Sequence, residues 1–365
     1  MSATRIAGPV SSTDAFVTRG VPPDQSMTPS SPTLTLPPGT STTHWVGAVA
    51  PRRNAVARAA AQQPVPQAWV SPTPLSRTRI AMWPSDEPGA VMELYSFARA
   101  IGLDIRVIGK GKNNKIDYDC NPDTVYEEAV RRKMNPRMLT SFKDGTKTMV
   151  EMTAMSNATG LVPDVIGGHG PSASPKDRCA DLNEIFKLKK DGGILSKHGV
   201  VEYVNGIAPG VFVTVTTQNE EIAYQMGYHS MGPGPLWTLY RPYHLCNLET
   251  PLTVAKIVID GEPTIIPLDG PVSECITVAK RDLKAGETID GIGGYTTYGS
   301  IATAQETYEK GYVVYALVNK NARMKCDVKK GTLLTLDMVD LDTSTQLYQV
   351  RKEQDKMYNN GYALK

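Results

Sequence analysis

From residue 84 onward, the pattern of hydrophobic and polar positions predicts alternating helices and strands. Apolar residues recur at helical spacing from Val91 to Ile101, and Gly102 closes that helix. A short apolar run over residues 104–108 then predicts a buried strand. Further helices are predicted at 124–134, 144–158, 219–226 and 249–259, and further strands at 162–166, 200–204, 211–217, 236–245 and 272–280.

The stretch after the first predicted strand, residues 109–115, reads Gly-Lys-Gly-Lys-Asn-Asn-Lys and is predicted to be a loop. Its glycines would let the backbone turn sharply and approach a ligand closely. Ammonium and amide groups are hydrogen-bond donors, which suits a phosphate or a carboxylate. A solvated, lysine-rich turn is the alternative. The candidate substrate-binding residues here are Lys110, Asn113 and Asn114, and Lys112 is a candidate catalytic residue.

The helix predicted after residue 144 carries a lysine and a glutamate four positions apart, Lys147 and Glu151. Such a spacing indicates either a surface ion pair or an acid/base pair aimed at a site. Met149, Met152 and Met155 recur on one side of the same helix, which favours a role in the core over a cofactor-binding face.

Two later stretches offer candidate substrate-binding residues. His169 is flanked by three glycines, which permits close approach of a ligand, although a lone histidine in a loop is often simply exposed. Arg241 and His244 follow a predicted strand together with two tyrosines. Such residues are typical of a pocket for an anionic substrate. The alternative is a purely structural role, in which the tyrosine rings cover a junction of the hydrophobic core.

The net charge and the residue composition argue against several classes of function. The formal net charge of +2 argues against a nucleic-acid-binding protein, and no apolar run is long enough to span a membrane. Five cysteines without paired spacing indicate neither a disulfide framework nor a zinc site, so we expect a cytoplasmic protein. No metal ligand is assigned from spacing alone.

Residues 1–83 differ from the rest of the chain. Residues 1–80 contain seven arginines and two aspartates but neither lysine nor glutamate, and they are rich in proline. This composition predicts a disordered or irregular, low-complexity segment. It fits an organellar transit peptide or a non-native, off-frame start of the gene, and we favour the second interpretation.

The last third contains a weak internal repeat. Residues 281–289 and 325–334 share the order aspartate, apolar residue, lysine, glycine and apolar residues. Each copy predicts a tight turn between short strands, with its glycine at positive φ. We therefore predict a small, mostly-β domain over residues 271–345 and a charged, partly helical tail over 346–365.

Several long stretches resemble a known family. They are DEPGAVMELYSFARAIGL, GKGKNN, NPRMLTSFKDGTKTMVEM, GGHGP, GVVEYVNGIAPGVFV and TLYRPYHL, followed by AKRDLKAGETIDGIGGYTTYG and CDVKKGTLLTLDMVDLD. They resemble homoserine-dehydrogenase-like oxidoreductases with a C-terminal SAF domain, a family that includes deoxyxylulose-5-phosphate reductoisomerase-like enzymes of isoprenoid synthesis. The resemblance implies an α/β (α+β) catalytic core over residues 84–270 and a SAF (β-clip) domain over 271–345.

The resemblance also implies an activity. A nicotinamide cofactor, NAD or NADP, would reduce a small polar or phosphorylated keto substrate. Asp144 and Lys147 would act at the reacting oxygen with Glu151 in support. If the reaction is reductoisomerase-like, Mg or Mn could bridge substrate oxygens, with Glu151 and Asp144 as possible ligands. The partners implied are a small anionic molecule and further copies of the chain, with no nucleic acid and no membrane.

Residues 1–83 depart from the family pattern because they contain no glycine-rich dinucleotide fingerprint. The pair Gly109 and Gly111 does not replace it, since Asn114 stands where the third glycine belongs. We therefore expect a core truncated in its cofactor domain that binds NADPH weakly or not at all, and we assign no cofactor-binding residue. A non-catalytic ligand-binding or assembly module, or a pseudoenzyme, is the alternative function.

Overall fold

The computed structural model describes residues 86–358, so the predictions for residues 1–83 and for the end of the tail lie outside the described residues. The described chain forms a mixed α/β core with small antiparallel sheets. The helices are α1 (Glu87–Ala100), α2 (Tyr126–Arg131), α3 (Pro136–Lys143), α4 (Thr146–Thr159), α5 (Asp181–Ile185), α6 (Glu220–Tyr228), α7 (Cys246–Ile259), α8 (Ala304–Lys310) and α9 (Gln346–Tyr358). The strands are β1 (Asp104–Lys112), β2 (Val200–Asn205), β3 (Val211–Thr216), β4 (Trp237–Arg241), β5 (Ser273–Ala279), β6 (Thr297–Thr303), β7 (Arg323–Met324) and β8 (Val339–Asp340).

A four-stranded mixed sheet with the order β2-β1-β3-β4 forms the centre of the core. Strand β1 pairs in parallel with β2 and antiparallel with β3, and β4 pairs antiparallel with β3. Strand β3 is rich in β-branched residues and is buried along its whole length, as expected for a strand covered on both faces. The sheet therefore holds the segment around residue 110 deep inside the protein.

The prediction of a loop at residues 109–115 was wrong in its first half, because β1 continues to Lys112. Gly109 and Gly111 lie in the strand and serve close packing rather than a turn. A Cβ at Gly109 would lie 1.9 Å from the carbonyl oxygen of Glu202, and one at Gly111 would lie 2.4 Å from the backbone nitrogen of Ala208. The glycines thus let neighbouring backbone approach β1, and the side chains of Lys110 and Lys112 enter the protein instead of the solvent.

Helices α1 and α4 pack against this sheet. Val91 of α1 and the methionines of α4, Met149, Met152 and Met155, are buried in one apolar cluster with Ile108 of β1. The prediction that the methionines belong to the core is confirmed. Helix α4 also packs against β5 and β6, where the hydroxyl groups of Ser156 and Ser273 lie 2.6 Å apart. It is therefore shared between the central sheet and the C-terminal strands.

The two copies of the internal repeat lie side by side. Leu283 and Val328 exchange two backbone hydrogen bonds of 3.0 Å, which relates the copies by an approximate two-fold axis. On either side, Lys284 pairs with Asp327 at 2.7 Å and Lys329 pairs with Asp282 at 2.8 Å. The predicted turn glycines, Gly286 and Gly331, have φ values of 80° and 82°. The repeat is thus a pair of equivalent turns, while the SAF identity of this segment stays a prediction.

Two further predictions need correction. Residues 162–166 form no strand, since Val162 makes only a single bridge with Val200. Helix α7 begins at Cys246 rather than at Glu249, and the strand predicted over residues 236–245 ends at Arg241. None of the five cysteines, all of which lie within the described residues, forms a disulfide. Over residues 86–358, no helix combines the length and the apolar character needed to cross a membrane.

Candidate active site

Two lysines of β1 point to the same face of the sheet. Side chains alternate along a strand, so Lys110 and Lys112 share the face that carries Ile108. That face is covered by α1 and α4, and each lysine residue is only 5% exposed. An ammonium group at such depth must be paired, because burying an unpaired charge is very costly.

Lys110 is paired with two buried carboxylates from different helices. Its Nζ lies 2.6 Å from Oε1 of Glu87, the first residue of α1, and donates a hydrogen bond to Glu151 of α4. Burial alone would lower the pKa of Lys110, but Glu151 and Glu87 outweigh burial and raise it. Lys110 is therefore a permanently charged centre of the cluster and not a proton donor at neutral pH.

Lys147 joins the same cluster from α4. Its Nζ lies 2.5 Å from Oε1 of Glu151 and 3.3 Å from Oδ2 of Asp86. The carboxylates raise its pKa against the opposing effect of burial. The predicted spacing of Lys147 and Glu151 is thus an ion pair, yet one that is turned into the protein beside Lys110. The side chain of Lys147 remains 36% exposed, whereas that of Lys110 is only 6% exposed, so Lys147 is the more accessible of the two lysines.

Asp86 and Glu87 are cluster residues that sequence reasoning missed. Glu87 opens α1 and is followed by Pro88, so the positive end of the helix favours its negative charge. Burial, the charge of Glu151 and a hydrogen bond with Glu87 raise the pKa of Asp86 to about 8. Burial would raise the pKa of Glu87 as well, but Lys110 and the bond with Asp86 hold it well below its usual range. The pair therefore carries one proton near neutral pH, and it resides on Asp86.

Lys112 occupies a different position from Lys110. Its Nζ donates to the carbonyl oxygen of Phe142 at 2.6 Å and to Oδ1 of Asn114 at 3.3 Å. Burial and the neighbouring charge of Lys110 lower the pKa of Lys112 to about 8. Lys112 can therefore exist with or without its proton near neutral pH. Asn113, the other predicted amide, is exposed.

Both carboxylate oxygens of Asp144, a predicted catalytic residue, accept hydrogen bonds from residues outside the cluster of Lys110, Lys147 and Glu151. Oδ1 accepts the backbone N–H of Thr146 at 2.9 Å, and Oδ2 accepts Nζ of Lys280 at 2.7 Å. Both members of the pair with Lys280 are buried, and the lysine belongs to the segment after β5. This arrangement ties the start of α4 to the C-terminal strands, and the catalytic role of Asp144 stays a prediction.

Arg241, the last residue of β4, and His244, which follows the strand, have different neighbours. Nε2 of His244 lies 3.5 Å from Glu87 and 3.8 Å from Asp86, and its Nδ1 donates to the carbonyl oxygen of Pro209 at 2.6 Å. His244 therefore forms one wall of the carboxylate cluster. Arg241 instead binds Glu249 and, at 3.1 Å, Glu93. Its guanidinium charge is already compensated by these two carboxylates.

His169 is held in a separate arrangement. Its Nδ1 lies 3.0 Å from Oε2 of Glu202, and its Nε2 lies 3.4 Å from Asp164. The backbone N–H of His169 also donates to Glu202 at 2.8 Å. The bond with Glu202 raises the pKa of His169. These contacts fasten the glycine-rich loop to β2, and a substrate-binding role for His169 stays a prediction.

The carboxylate cluster has the donors that a divalent cation needs. Asp86, Glu87 and Glu151 each offer one oxygen within 4.8 Å of the others, and hard oxygen ligands suit Mg²⁺ or Mn²⁺. Among the described residues, Oε2 of Glu87 and Oε1 of Glu151 are buried and have no hydrogen-bond donor. The residues therefore fit such a cation. Lys147 nevertheless lies 2.5 Å from Oε1 of Glu151, so a bound cation would have to displace its ammonium group from that oxygen.

The glycine pair of β1 does not form a dinucleotide-binding turn. A dinucleotide fingerprint needs glycines in the turn between a strand and a helix, with the helix N-terminus facing the phosphates. Within residues 86–358, the glycine pair that follows the first apolar run lies inside β1 and contacts neighbouring backbone. No cofactor-binding residue is assigned.

Comparison with known proteins agrees with an enzyme core. Residues 85–250 match the family model described as "Oxidoreductase DRL, catalytic domain". This range contains all the members of the lysine and carboxylate cluster, from Asp86 through Lys110, Lys147 and Glu151 to His244. A search of curated proteins found no match. The match indicates an oxidoreductase and leaves its substrate open.

Proposed function

We propose that the chain is the core of an NAD- or NADP-dependent oxidoreductase that acts on a small anionic hydroxy or keto substrate. The observation that carries the proposal is the buried cluster of Asp86, Glu87, Lys110, Lys147 and Glu151, which lies within the range matched by the oxidoreductase model. A cluster of ion pairs that only stabilises the fold does not require a residue whose pKa lies near neutral pH. Asp86 has a pKa of about 8 here, as enzymes often arrange for acid/base residues.

The residues divide into two roles. Lys147, which is partly exposed, and Lys112 supply positive charge for a phosphate or carboxylate of the substrate. Asp86, protonated near neutral pH, donates its proton to the oxygen of a carbonyl group as that group is reduced to an alcohol. In the opposite direction its carboxylate accepts the hydroxyl proton. Lys110 holds Glu87 and Glu151 in place and keeps Glu87 ionised.

A divalent cation is an alternative to the proton-donor role of Asp86. In that case the ionised carboxylates of Asp86, Glu87 and Glu151 would hold Mg²⁺ or Mn²⁺, which would polarise a substrate oxygen when bound. This requirement would agree with a reductoisomerase-like reaction, whereas a homoserine-dehydrogenase-like reaction would rely on the lysines. Isoprenoid synthesis and the SAF identity of residues 271–345 belong to the same proposal and rest on the sequence resemblance.

The test is a reduction assay on the full chain with a panel of small phosphorylated or carboxylated keto compounds. NADH or NADPH is supplied at millimolar concentration, so that weak cofactor binding does not limit the rate. We expect substrate-dependent oxidation of the cofactor that falls by about 10²- to 10⁴-fold in Asp86→Asn, the range typical for a lost acid/base group. Lys284→Ala, which removes an exposed lysine from the C-terminal segment, is the control.

The outcomes separate the two functions. Turnover that depends on Asp86 and not on Lys284 supports the oxidoreductase. Substrate binding without oxidation of either cofactor would favour a non-catalytic ligand-binding module. Turnover that is unchanged in both variants would place the active site outside this cluster.

A further inference from the structure

Helix α7 exposes its large apolar side chains to solvent, which is unusual for a helix on the surface of a monomer. Among its residues only Thr253 is buried. The exposed side chains are large and apolar: Leu248, Leu252, Val254, Val258 and Ile259 are between 56% and 80% exposed. A surface helix normally turns its apolar stripe inward and its polar residues outward. Over α7 the apolar side faces outward.

The charged residues of the helix confirm this orientation. With about 100° of rotation per residue, the partly buried Glu249 lies on the same side of the helix as Thr253, Lys256 lies at the exposed edge of that side, and the exposed apolar side chains lie on the other side. Glu249 is bound by Arg241, and Thr253 shares a hydrogen bond of 3.2 Å with Thr264. The inward side is thus partnered by polar contacts, and the outward side carries no charge.

The size of this apolar face is that of a protein interface. Each of the five side chains exposes more than half of its surface, which together amounts to several hundred Å². Monomers rarely expose a contiguous apolar patch larger than this, and one partner of a standard interface buries about 800 Å². The face is therefore large enough to account for most of one subunit's share of a contact.

The spacing of the apolar residues fits a second copy of the same helix. Leu248, Leu252, Ala255 and Ile259 follow one another at intervals of four, three and four residues, which is the heptad spacing of paired helices. In an antiparallel pair with its two-fold axis between residues 253 and 254, Leu248 would face Ile259 and Leu252 would face the small Ala255. A two-fold contact must be self-complementary, and an uncharged face with large residues opposite a small one meets that condition.

A lipid surface fits this helix less well. Helices that lie on membranes carry Lys and Arg on their polar side. Helix α7 has one lysine, Lys256, balanced by Glu249. We propose that α7 forms a two-fold contact between two copies of this chain through the stripe of Leu248, Leu252, Ala255 and Ile259. The proposal does not depend on the proposed enzymatic function.

The experiment is analytical ultracentrifugation of the full chain over a range of concentrations. The wild type is compared with a Leu252→Asp/Ile259→Asp variant, whose changes lie at exposed positions and should leave the fold unchanged by circular dichroism. We expect a wild-type dimer and at least a tenfold weaker association in the variant. Val130→Asp, at an exposed valine of α2, is the matched control and should dimerise like the wild type.

A cross-linking experiment tests the geometry. In a Cys326→Ser background, which removes an exposed cysteine, Ala255→Cys lies in the contact stripe beside the proposed axis and should give a disulfide-linked dimer under mild oxidation. Val130→Cys should not. A monomeric wild type, or a dimer unaffected by the two aspartates, would overturn the proposal. Binding of the wild type to phosphatidylcholine or phosphatidylserine vesicles that the aspartates abolish would assign the face to lipid and also overturn it.

Discussion

Replacing Lys110 with methionine tests whether the cluster is held together by its central lysine. Lys110 is buried and lies between Glu87 and Glu151, whose side chains are 8% and 5% exposed. The variant would leave Glu87 without a cationic hydrogen-bond donor and Glu151 with only Lys147. Removing one partner of a buried ion pair typically costs about 3–5 kcal/mol, because the remaining charge is left in a poorly solvating environment. We expect a loss of that size in the free energy of unfolding at pH 7.

The assay is urea denaturation followed by fluorescence, with Trp237 as a buried reporter in the described core. Adding Glu87→Gln to Lys110→Met removes one of the two uncompensated charges and should recover part of the loss. Lys284→Met is the surface control, and no measurable change is expected there because its ion pair is exposed. A loss of less than about 1 kcal/mol for Lys110→Met would refute the reasoning, since the carboxylates would then need no counter-charge.

The remaining predictions concern pH, packing and the C-terminal contact. Because the pKa of Asp86 rises from 3.8 to about 8 on folding, the folded protein holds an extra proton between these values. Stability should therefore fall as pH rises through this window by up to about 1.4 kcal/mol per unit, and Asp86→Asn should flatten that slope in urea titrations at several pH values. A slope unchanged by the substitution would contradict this. Gly109→Ala should destabilise the protein severely, since its Cβ would lie 1.9 Å from a backbone oxygen, whereas Gly227→Ala in α6 has open space and should not lower the melting temperature. Equal melting temperatures for the two would contradict the packing argument. Lys280→Met should cost about 3–5 kcal/mol by leaving Asp144 buried and unpaired, and a fully stable variant would show that this pair is dispensable.

Local patterns in the sequence predicted much of the fold. The β-branched runs that became β2 and β3, and the helical spacing that became α1 and α4, depend on neighbours close in the chain. The methionines of α4 lie in the core as their spacing indicates. The two turns of the repeat could be predicted because each carries its own glycine and aspartate. Their pairing about a two-fold axis is a long-range contact that no single copy reveals.

The error at residues 109–115 has a physical cause. Glycine and lysine together are typical of exposed turns, so local propensity favoured a loop. In the folded chain, the glycines admit neighbouring backbone, and Lys110 is neutralised by Glu87 and Glu151 from two different helices. Neither the close backbone packing nor these ion pairs can be predicted from the local sequence. A strand of alternating glycine and lysine is stable only where these distant partners meet it.

The site was predicted in part. Lys110, Lys147, Glu151 and His244 were identified as candidates, and the structure brings them together. Asp86 went unnoticed as a candidate, although an acidic pair directly before a proline is a signal for a charged helix start. The guanidinium of Arg241 was interpreted as a substrate contact, but such a group binds carboxylates of the protein equally well. Only the three-dimensional arrangement distinguishes the two.

The most direct test of the account is a calorimetric titration of the chain with small phosphorylated and carboxylated keto compounds, with and without Mg²⁺. The account predicts that at least one compound binds the wild type and that Lys147→Met weakens this binding tenfold or more, while Lys284→Met leaves it unchanged. It also predicts that Glu151→Gln weakens the binding of Mg²⁺ or Mn²⁺ measured alone. A panel in which every compound binds the wild type and Lys147→Met equally well, or binds neither, would contradict the claim that this cluster is the active site.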